Sequence, residues 1–454
     1  MSDTLQDLAR RHLWPPYTQM HDYRQRDFLC IERGEGVMLY DHQGRGYFDT
    51  ISSWWCILHG HGHPTIKNSV RAQLERLEQV LLAGVIHEPA VRLAEALVGL
   101  TPANLTRIFY SDNGSCACEI AVKMSLQYWQ QSGQPQRNQL AALERGYHGD
   151  TIGTMSLGGV PEFHQAFAGL RFFSHRLPSP YCYRCPQGCT AGSCRLECLA
   201  PLAELLAQQG ERIAAFILEP LLQAAGGMII YPPAYLAGAA KLCKQYGVHL
   251  ILDEVATGFG RTGTMFALEQ AGVAPDFLCL SKGLTGGFLP LAATMTSEEI
   301  FGAFYGDYRD NRTFFHGHTF TGNPLGCAAA LGSLQVFAEE QTLAALPAKI
   351  EQLRAGLERF RELPWVGDIR QLGMIGVLEL VKDRQTKESF TMAERVGWEI
   401  YLAGLKEGLL LRPLGNVIYL WLPLSVTAAE IDEILARVWR VLSNPGNISG
   451  WPGQ

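Results

Sequence analysis

No stretch of this 454-residue chain runs for about 18 apolar residues without interruption, which excludes a helical membrane span. Positive charge is not in excess: 38 Lys and Arg against 44 Asp and Glu leave a net charge of -6, so there is no basic patch for nucleic acid and no acidic tail. The first residues, Met1-Ser-Asp-Thr-Leu-Gln-Asp7, lack a basic-then-apolar pattern, and no internal repeat is visible. A soluble cytoplasmic protein is the expectation. With 47% hydrophobic and 18% charged residues the chain can bury a large core, and its length suits two domains sharing a cleft.

Cysteine, by contrast, is abundant, at twelve residues. Cys30, Cys56, Cys116, Cys118, Cys243, Cys279 and Cys327 are scattered in apolar settings and read as small buried hydrophobes. The other five crowd into Tyr181-Cys182-Tyr183-Arg184-Cys185-Pro-Gln-Gly188-Cys189-Thr-Ala-Gly192-Ser-Cys194-Arg-Leu-Glu-Cys198. A second Cys-x-x-Cys is missing, so no zinc signature fits closely, and stable disulfides do not suit a cytosolic enzyme. A thiol-rich loop insert is favoured over a structural metal, and no metal is assigned.

Strand and helix signals alternate from about residue 105 to 335, the pattern of a mostly parallel sheet covered by helices. Strands are expected at 105–110, 139–143, 213–218, 250–253, 277–281 and 290–295, with helices at 116–129 and 233–246. A helix at 350–361, short strands near 369, 373–379, 409–412 and 417–422, and helices at 393–406 and 427–442 suggest a small α+β domain. The expected division is an amino-terminal segment 1–80 packing on that small domain, a large domain 81–335 carrying the insert 181–198, the small domain 336–442, and a turn-rich, disordered tail 443–454.

Two apolar runs end in charged residues, Leu250-Ile-Leu-Asp253-Glu254-Val255 and Phe277-Leu-Cys-Leu-Ser281-Lys282-Gly283, with Arg261 in the loop between them. Ligands collect at the carboxyl ends of parallel strands, although such strands often end in charge simply because they meet solvent. A lysine amine that bonds an aldehyde and a carboxylate that holds a pyridinium nitrogen are what pyridoxal phosphate chemistry needs. Gly114-Ser115, where a strand turns into a helix, offers free backbone amides and a hydroxyl to a phosphate, or is only a capping turn. Tyr147, in Gly146-Tyr147-His148-Gly149, can stack on a planar ring, and His316-Gly317-His318-Thr319-Phe320 reads as a polar, phosphate-suited loop rather than a metal site.

Together these motifs, with Glu119, Glu219-Pro220 and Gly258-Phe-Gly-Arg261-Thr-Gly263, resemble the class III aminotransferases of pyridoxal phosphate fold type I over nearly the whole chain. The resemblance implies an α/β large domain with a mostly parallel seven-stranded sheet, a small α+β domain, and a homodimer with shared active sites. It implies Lys282 as the catalytic amine and Asp253 at the pyridine nitrogen. Gly114, Ser115, Tyr147, His318 and Thr319 are implied around the rest of pyridoxal 5'-phosphate, Thr319 reaching across to the partner's cofactor.

The segments Trp14-Pro-Pro-Tyr17-Thr18, Ser52-Ser-Trp54-Trp55 and Leu411-Arg412-Pro413 narrow the resemblance to the branch serving biotin synthesis. There the acceptor is 8-amino-7-oxononanoate and the amino donor S-adenosylmethionine or, in some relatives, lysine. Tyr17, Trp54, Tyr147, Lys282, Gly317 and Arg412 are the implied substrate-binding residues. An aromatic tunnel and a distant cation suit a long apolar chain ending in a carboxylate. The alternative is another ω-aminotransferase using lysine, a diamine, GABA or β-alanine. Two features depart from the branch: His318 stands where a proline is usual, and the best-known members lack the cysteine insert.

Overall fold

The computed structural model describes residues 4–190 and 193–444. The sequence expectation for the tail therefore lies outside the described residues from 445 onward.

Seven strands form the central sheet: β1 (Arg107–Ser111), β2 (Gln139–Leu143), β3 (His175–Leu177), β4 (Ile213–Leu218), β5 (His249–Asp253), β6 (Phe277–Leu280) and β7 (Ala292–Thr296). Their order is β1-β7-β6-β5-β4-β2-β3, and only β7 runs antiparallel to its neighbours. Every residue of β4, β5 and β6 is buried, which explains their continuous apolar runs: a parallel sheet covered on both faces has no solvent side on which to alternate. β7 forms as the returning strand expected from 290–295, and the short edge strand β3 has no signal in the sequence long enough to read.

The first sheet-to-helix turn feeds the helix Gly114–Gln131, capped by Asn113, whose side chain accepts the Cys116 N–H at 3.0 Å. Helix Pro233–Tyr246 stops at Gly247 (φ 62°), a left-handed position that suits glycine, and the chain then enters β5.

A three-stranded antiparallel sheet, Val366–Leu372, Ile375–Leu380 and Val417–Trp421, carries helices Val396–Lys406 and Ala428–Ser443. The helix expected from 350 to 361 instead spans Thr342–Glu358, with Pro347 inside it. The strand expected at 409–412 does not form. Leu409 makes a single bridge to Phe48, and the neighbouring polar groups bond to the amino-terminal segment instead, as in the 2.6 Å bond from Thr50 Oγ1 to the Leu410 carbonyl. Other ties between that segment and 366–421 are Ser52 Oγ to the Trp421 carbonyl (2.6 Å) and Trp55 Nε1 to the Tyr419 hydroxyl (3.1 Å).

Candidate active site

The carboxyl ends of β5 and β6 open into a cavity of about 660 Å³, lined in part by Trp55, Gly114, Ser115, Tyr147, Asp253 and Lys282. Asp253 is the last residue of β5, and its carboxylate is fixed from two sides: the His148 imidazole contacts Oδ2 at 2.7 Å and the Val255 N–H donates to Oδ1 at 3.1 Å. Lys282 opens a 3₁₀ turn just beyond β6 at φ 45°, a left-handed conformation that a non-glycine residue adopts at a cost. Its ammonium lies 4.9 Å from the Trp55 ring centroid. Burial pushes the Lys282 amine down from its ordinary range, against the opposing pull of the Asp253 and Glu219 carboxylates.

Glu219 ends the β4 segment and is buried between two backbone donors, the N–H of Tyr147 (3.0 Å) and of Ala224 (2.9 Å). Burial, with the nearby charge of Asp253, still pushes its carboxyl up to about 8.

The cavity is also lined by a helix start. An added Cβ on Gly114 would lie 2.4 Å from Val255 Cγ1, so glycine is needed for the helix to approach the strand end this closely. Asn113 caps the Cys116 N–H, and Gly114 and Ser115, the first residues of the helix, line the cavity. Ser115 Oγ lies 2.8 Å from Thr151 Oγ1 and 2.9 Å from Thr154 Oγ1, and Glu119 accepts from Thr151 Oγ1, Gly153 N–H and Thr154 N–H. This hydroxyl cluster was not predicted, because Thr151 and Thr154 are brought to Ser115 only by the fold.

At the mouth, Tyr17 Oη bonds both oxygens of Asp150 at 2.8 Å, and Tyr147 Oη bonds Asp150 Oδ2 at 2.9 Å. Burial raises both phenols, Tyr17 to about 12. Burial also works against ionised Asp150, but bonds from His164, Tyr17 and Tyr147 outweigh it and keep the carboxyl below its usual range. The Tyr17 ring meets Trp54 edge-on at 5.7 Å, and the Arg412 guanidinium sits 4.4 Å from the Trp54 ring centroid. Four residues in a row, Ser52 to Trp55, hold positive φ (50°, 46°, 77° and 75°). Asp49 braces this left-handed turn by accepting from Ser53 N–H (2.9 Å) and Ser53 Oγ (2.7 Å).

The sequence candidates thus divide. Gly114, Ser115, Tyr147, Asp253 and Lys282 line one cavity, and Tyr17, Trp54 and Arg412 cluster at its mouth through Tyr147. Gly317, His318 and Thr319 do not line it: all three are exposed, with His318 Nδ1 2.7 Å from Asp112 Oδ2 and the Thr319 carbonyl accepting from Gln79 at 2.7 Å. Arg261 also stays out of the cavity, fully buried behind it and bonded to the Ile57 and Leu422 carbonyls. Two further lining residues to which the sequence reading gave no role, His148 and Asp150, follow Tyr147 in the turn after β2.

An amine, a braced carboxylate and a glycine-tight helix start lining one cavity fit pyridoxal phosphate in chemistry. The chain matches the family Aminotransferase class-III over residues 20–442 and belongs to it; it is a pyridoxal-phosphate-dependent aminotransferase. Adenosylmethionine-8-amino-7-oxononanoate aminotransferase of Geobacter sulfurreducens is 46% identical over 435 residues, 96% of each chain. A crystal structure of the enzyme of that name from Methanocaldococcus jannaschii superposes with a TM-score of 0.92 at 40% identity, covering 97% of this chain and 98% of that one. The ω-transaminase of Pseudomonas jessenii in complex with PMP gives a TM-score of 0.93 at 31% identity over 100% of both chains.

Proposed function

We propose that the chain transfers an amino group to 8-amino-7-oxononanoate, yielding 7,8-diaminononanoate in biotin synthesis, with S-adenosylmethionine as donor. The observation that carries this reading is the mouth of the cavity, where Tyr17, Trp54 and Arg412 converge from opposite ends of the chain. An aromatic wall with a guanidinium at its end suits an apolar chain ending in a carboxylate. Relatives of that name at 42–46% identity support it.

When bound, pyridoxal phosphate supplies an electrophilic carbonyl and an electron-accepting ring. Lys282 Nζ, its basicity lowered by burial, would carry the proton that leaves the donor carbon. Asp253, held by His148 and the Val255 N–H, would keep a proton on the ring nitrogen. Gly114 and Ser115 would take the phosphate, and Tyr147, lining the same cavity, would pack near the ring. The two half-reactions run in ping-pong order through one cavity.

In a homodimer, Gly317, His318 and Thr319 of each chain serve the site of the other. Their exposure supports this, as do the apolar Ile86, Phe315 and Phe320, which are 77%, 75% and 59% exposed. A cytoplasmic setting agrees with twelve free thiols. In this reading the amino-terminal segment 1–80 closes the cleft against a small domain 336–442. A second reading, an ω-aminotransferase with another donor, draws on the Pseudomonas jessenii likeness. A screen of S-adenosylmethionine, lysine, diamines, GABA and β-alanine with 8-amino-7-oxononanoate as acceptor separates them. Turnover with S-adenosylmethionine is expected, and an inert acceptor with every donor defeats the proposal.

A further inference from the structure

The left-handed turn at the mouth is held unevenly. Ser52 and Trp55 are tied to the small sheet: Ser52 Oγ donates to the Trp421 carbonyl, and Trp55 Nε1 donates to the Tyr419 hydroxyl while its ring stacks on Trp421 at 5.0 Å. Ser53 gives both its N–H and its hydroxyl to Asp49, one to each carboxylate oxygen. The Trp54 ring rests on Tyr17 and Arg412, which are mouth residues themselves. Positive φ is costly in a residue other than glycine, so the conformation of Ser53 and Trp54 depends on how firmly Asp49 is fixed.

Asp49 is fully buried, and a buried carboxylate needs donors on both oxygens. A third donor comes from His61, whose Nε2 lies 2.9 Å from Oδ2, the oxygen that also accepts from Ser53 Oγ. His61 is placed by its backbone: its N–H donates to the Gly36 carbonyl at 2.7 Å, and its carbonyl accepts the Gly36 N–H at 3.2 Å. An added Cβ on Gly34 would fall 2.6 Å from His61 Cγ, so the imidazole fills the space that glycine leaves. Neither His61 nor Asp49 lines the cavity.

We propose that His61, acting through Asp49, is a positioning residue for the acceptor: its Nε2–H fixes the carboxylate that holds Ser53, and so sets where the Trp54 ring stands against Tyr17 and Arg412. The proposal rests on the reading that this mouth binds 8-amino-7-oxononanoate. Without the His61 donor, Asp49 Oδ2 keeps only the Ser53 hydroxyl and the turn gains freedom. Binding the acceptor must then restore an aromatic wall that the wild type holds ready. Trp55 keeps its own anchors on the small sheet, and Lys282 and Asp253 stand at the ends of the central sheet. The effect therefore falls on acceptor binding and spares the chemical step.

Two replacements separate the bond from the packing. His61→Phe keeps a ring over Gly34 and removes the donor, whereas His61→Gln loses the ring and returns an N–H to Asp49. In steady-state kinetics of the holoenzyme, His61→Phe is expected to raise the acceptor's KM about tenfold with kcat within about twofold of wild type. His61→Gln should bring KM back toward the wild-type value. Trp54→Ala should raise the same KM, and adding His61→Phe to it should change little more, since both act through one ring. Should His61→Phe fail to fold, Asp49→Asn removes the same bond from the other side, with the same rise expected. A wild-type KM in His61→Phe, or in Asp49→Asn, while Trp54→Ala raises it overturns the proposal and leaves the role of the mouth standing. So do additive effects of His61→Phe and Trp54→Ala, or a KM raised by His61→Gln and not by His61→Phe, the pattern of a packing role. A wild-type KM in Trp54→Ala defeats the reading of the mouth, and the proposal with it.

Discussion

At the floor of the cavity, His148, Asp253 and Glu219 are 3%, 4% and 4% exposed and belong to strand ends or the turns beside them; at the mouth, Tyr17 and Trp54 are 47% and 38% exposed and ride on the amino-terminal segment. Floor residues are held by short bonds to backbone or to one another, as in the 2.7 Å His148–Asp253 contact. Mouth residues are held by ring contacts and by a left-handed turn that Asp49 must brace. In the proposed function the floor would serve chemistry that a whole family can share, whereas the mouth could change its substrate without disturbing the sheet.

Substitutions should separate the two regions, and the largest effect is expected at Lys282. Lys282→Ala removes both the tether and the proton carrier, and single-turnover assays should show a loss of roughly 10⁴-fold or more. Near-normal turnover would remove Lys282 from the floor's chemistry. Asp253→Asn keeps the shape but not the charge. The enzyme should still bind cofactor, seen by absorbance, while the rate falls by roughly 10²-fold.

Arg412→Gln tests the mouth. Loss of a charge-assisted contact of about 1.5–3 kcal/mol should raise KM for the carboxylate-bearing acceptor about 10- to 100-fold and leave the donor's KM unchanged. Equal changes for both substrates would place Arg412 in a structural role.

The smallest effect concerns stability against pH. The Glu219 carboxyl is raised from 4.5 to about 8, so between those values the folded chain keeps a proton that the unfolded chain has lost. Stability from this group is full below about pH 4.5 and falls as pH rises toward 8, by at most about 1.4 kcal/mol per pH unit. Melting curves of Glu219→Gln should therefore depend less on pH across that window than those of the wild type. An unchanged slope would mean that Glu219 is ionised throughout.

Much of the floor was legible before folding was considered. β4, β5 and β6 announce themselves as unbroken apolar runs because both faces of a parallel sheet are covered, and the charged residue ending such a run stands out. The hydroxyl cluster of Ser115, Thr151 and Thr154 was not legible, since polar residues in helix-start turns look alike until two turns are placed side by side. The 409–412 run reads as a strand on local preference, but its polar backbone groups found partners in the segment around Phe48 and Thr50.

By itself the sequence determined that Lys282 and Asp253 share one cavity, because residues closing neighbouring buried parallel strands meet at one end of the sheet. Only the tertiary structure decided what surrounds them. It brought Tyr17, Trp54 and Arg412 to one mouth and left residues 317–320 exposed. Local patterning reports which face of a strand is buried; contacts between segments hundreds of residues apart depend on packing that no local pattern encodes.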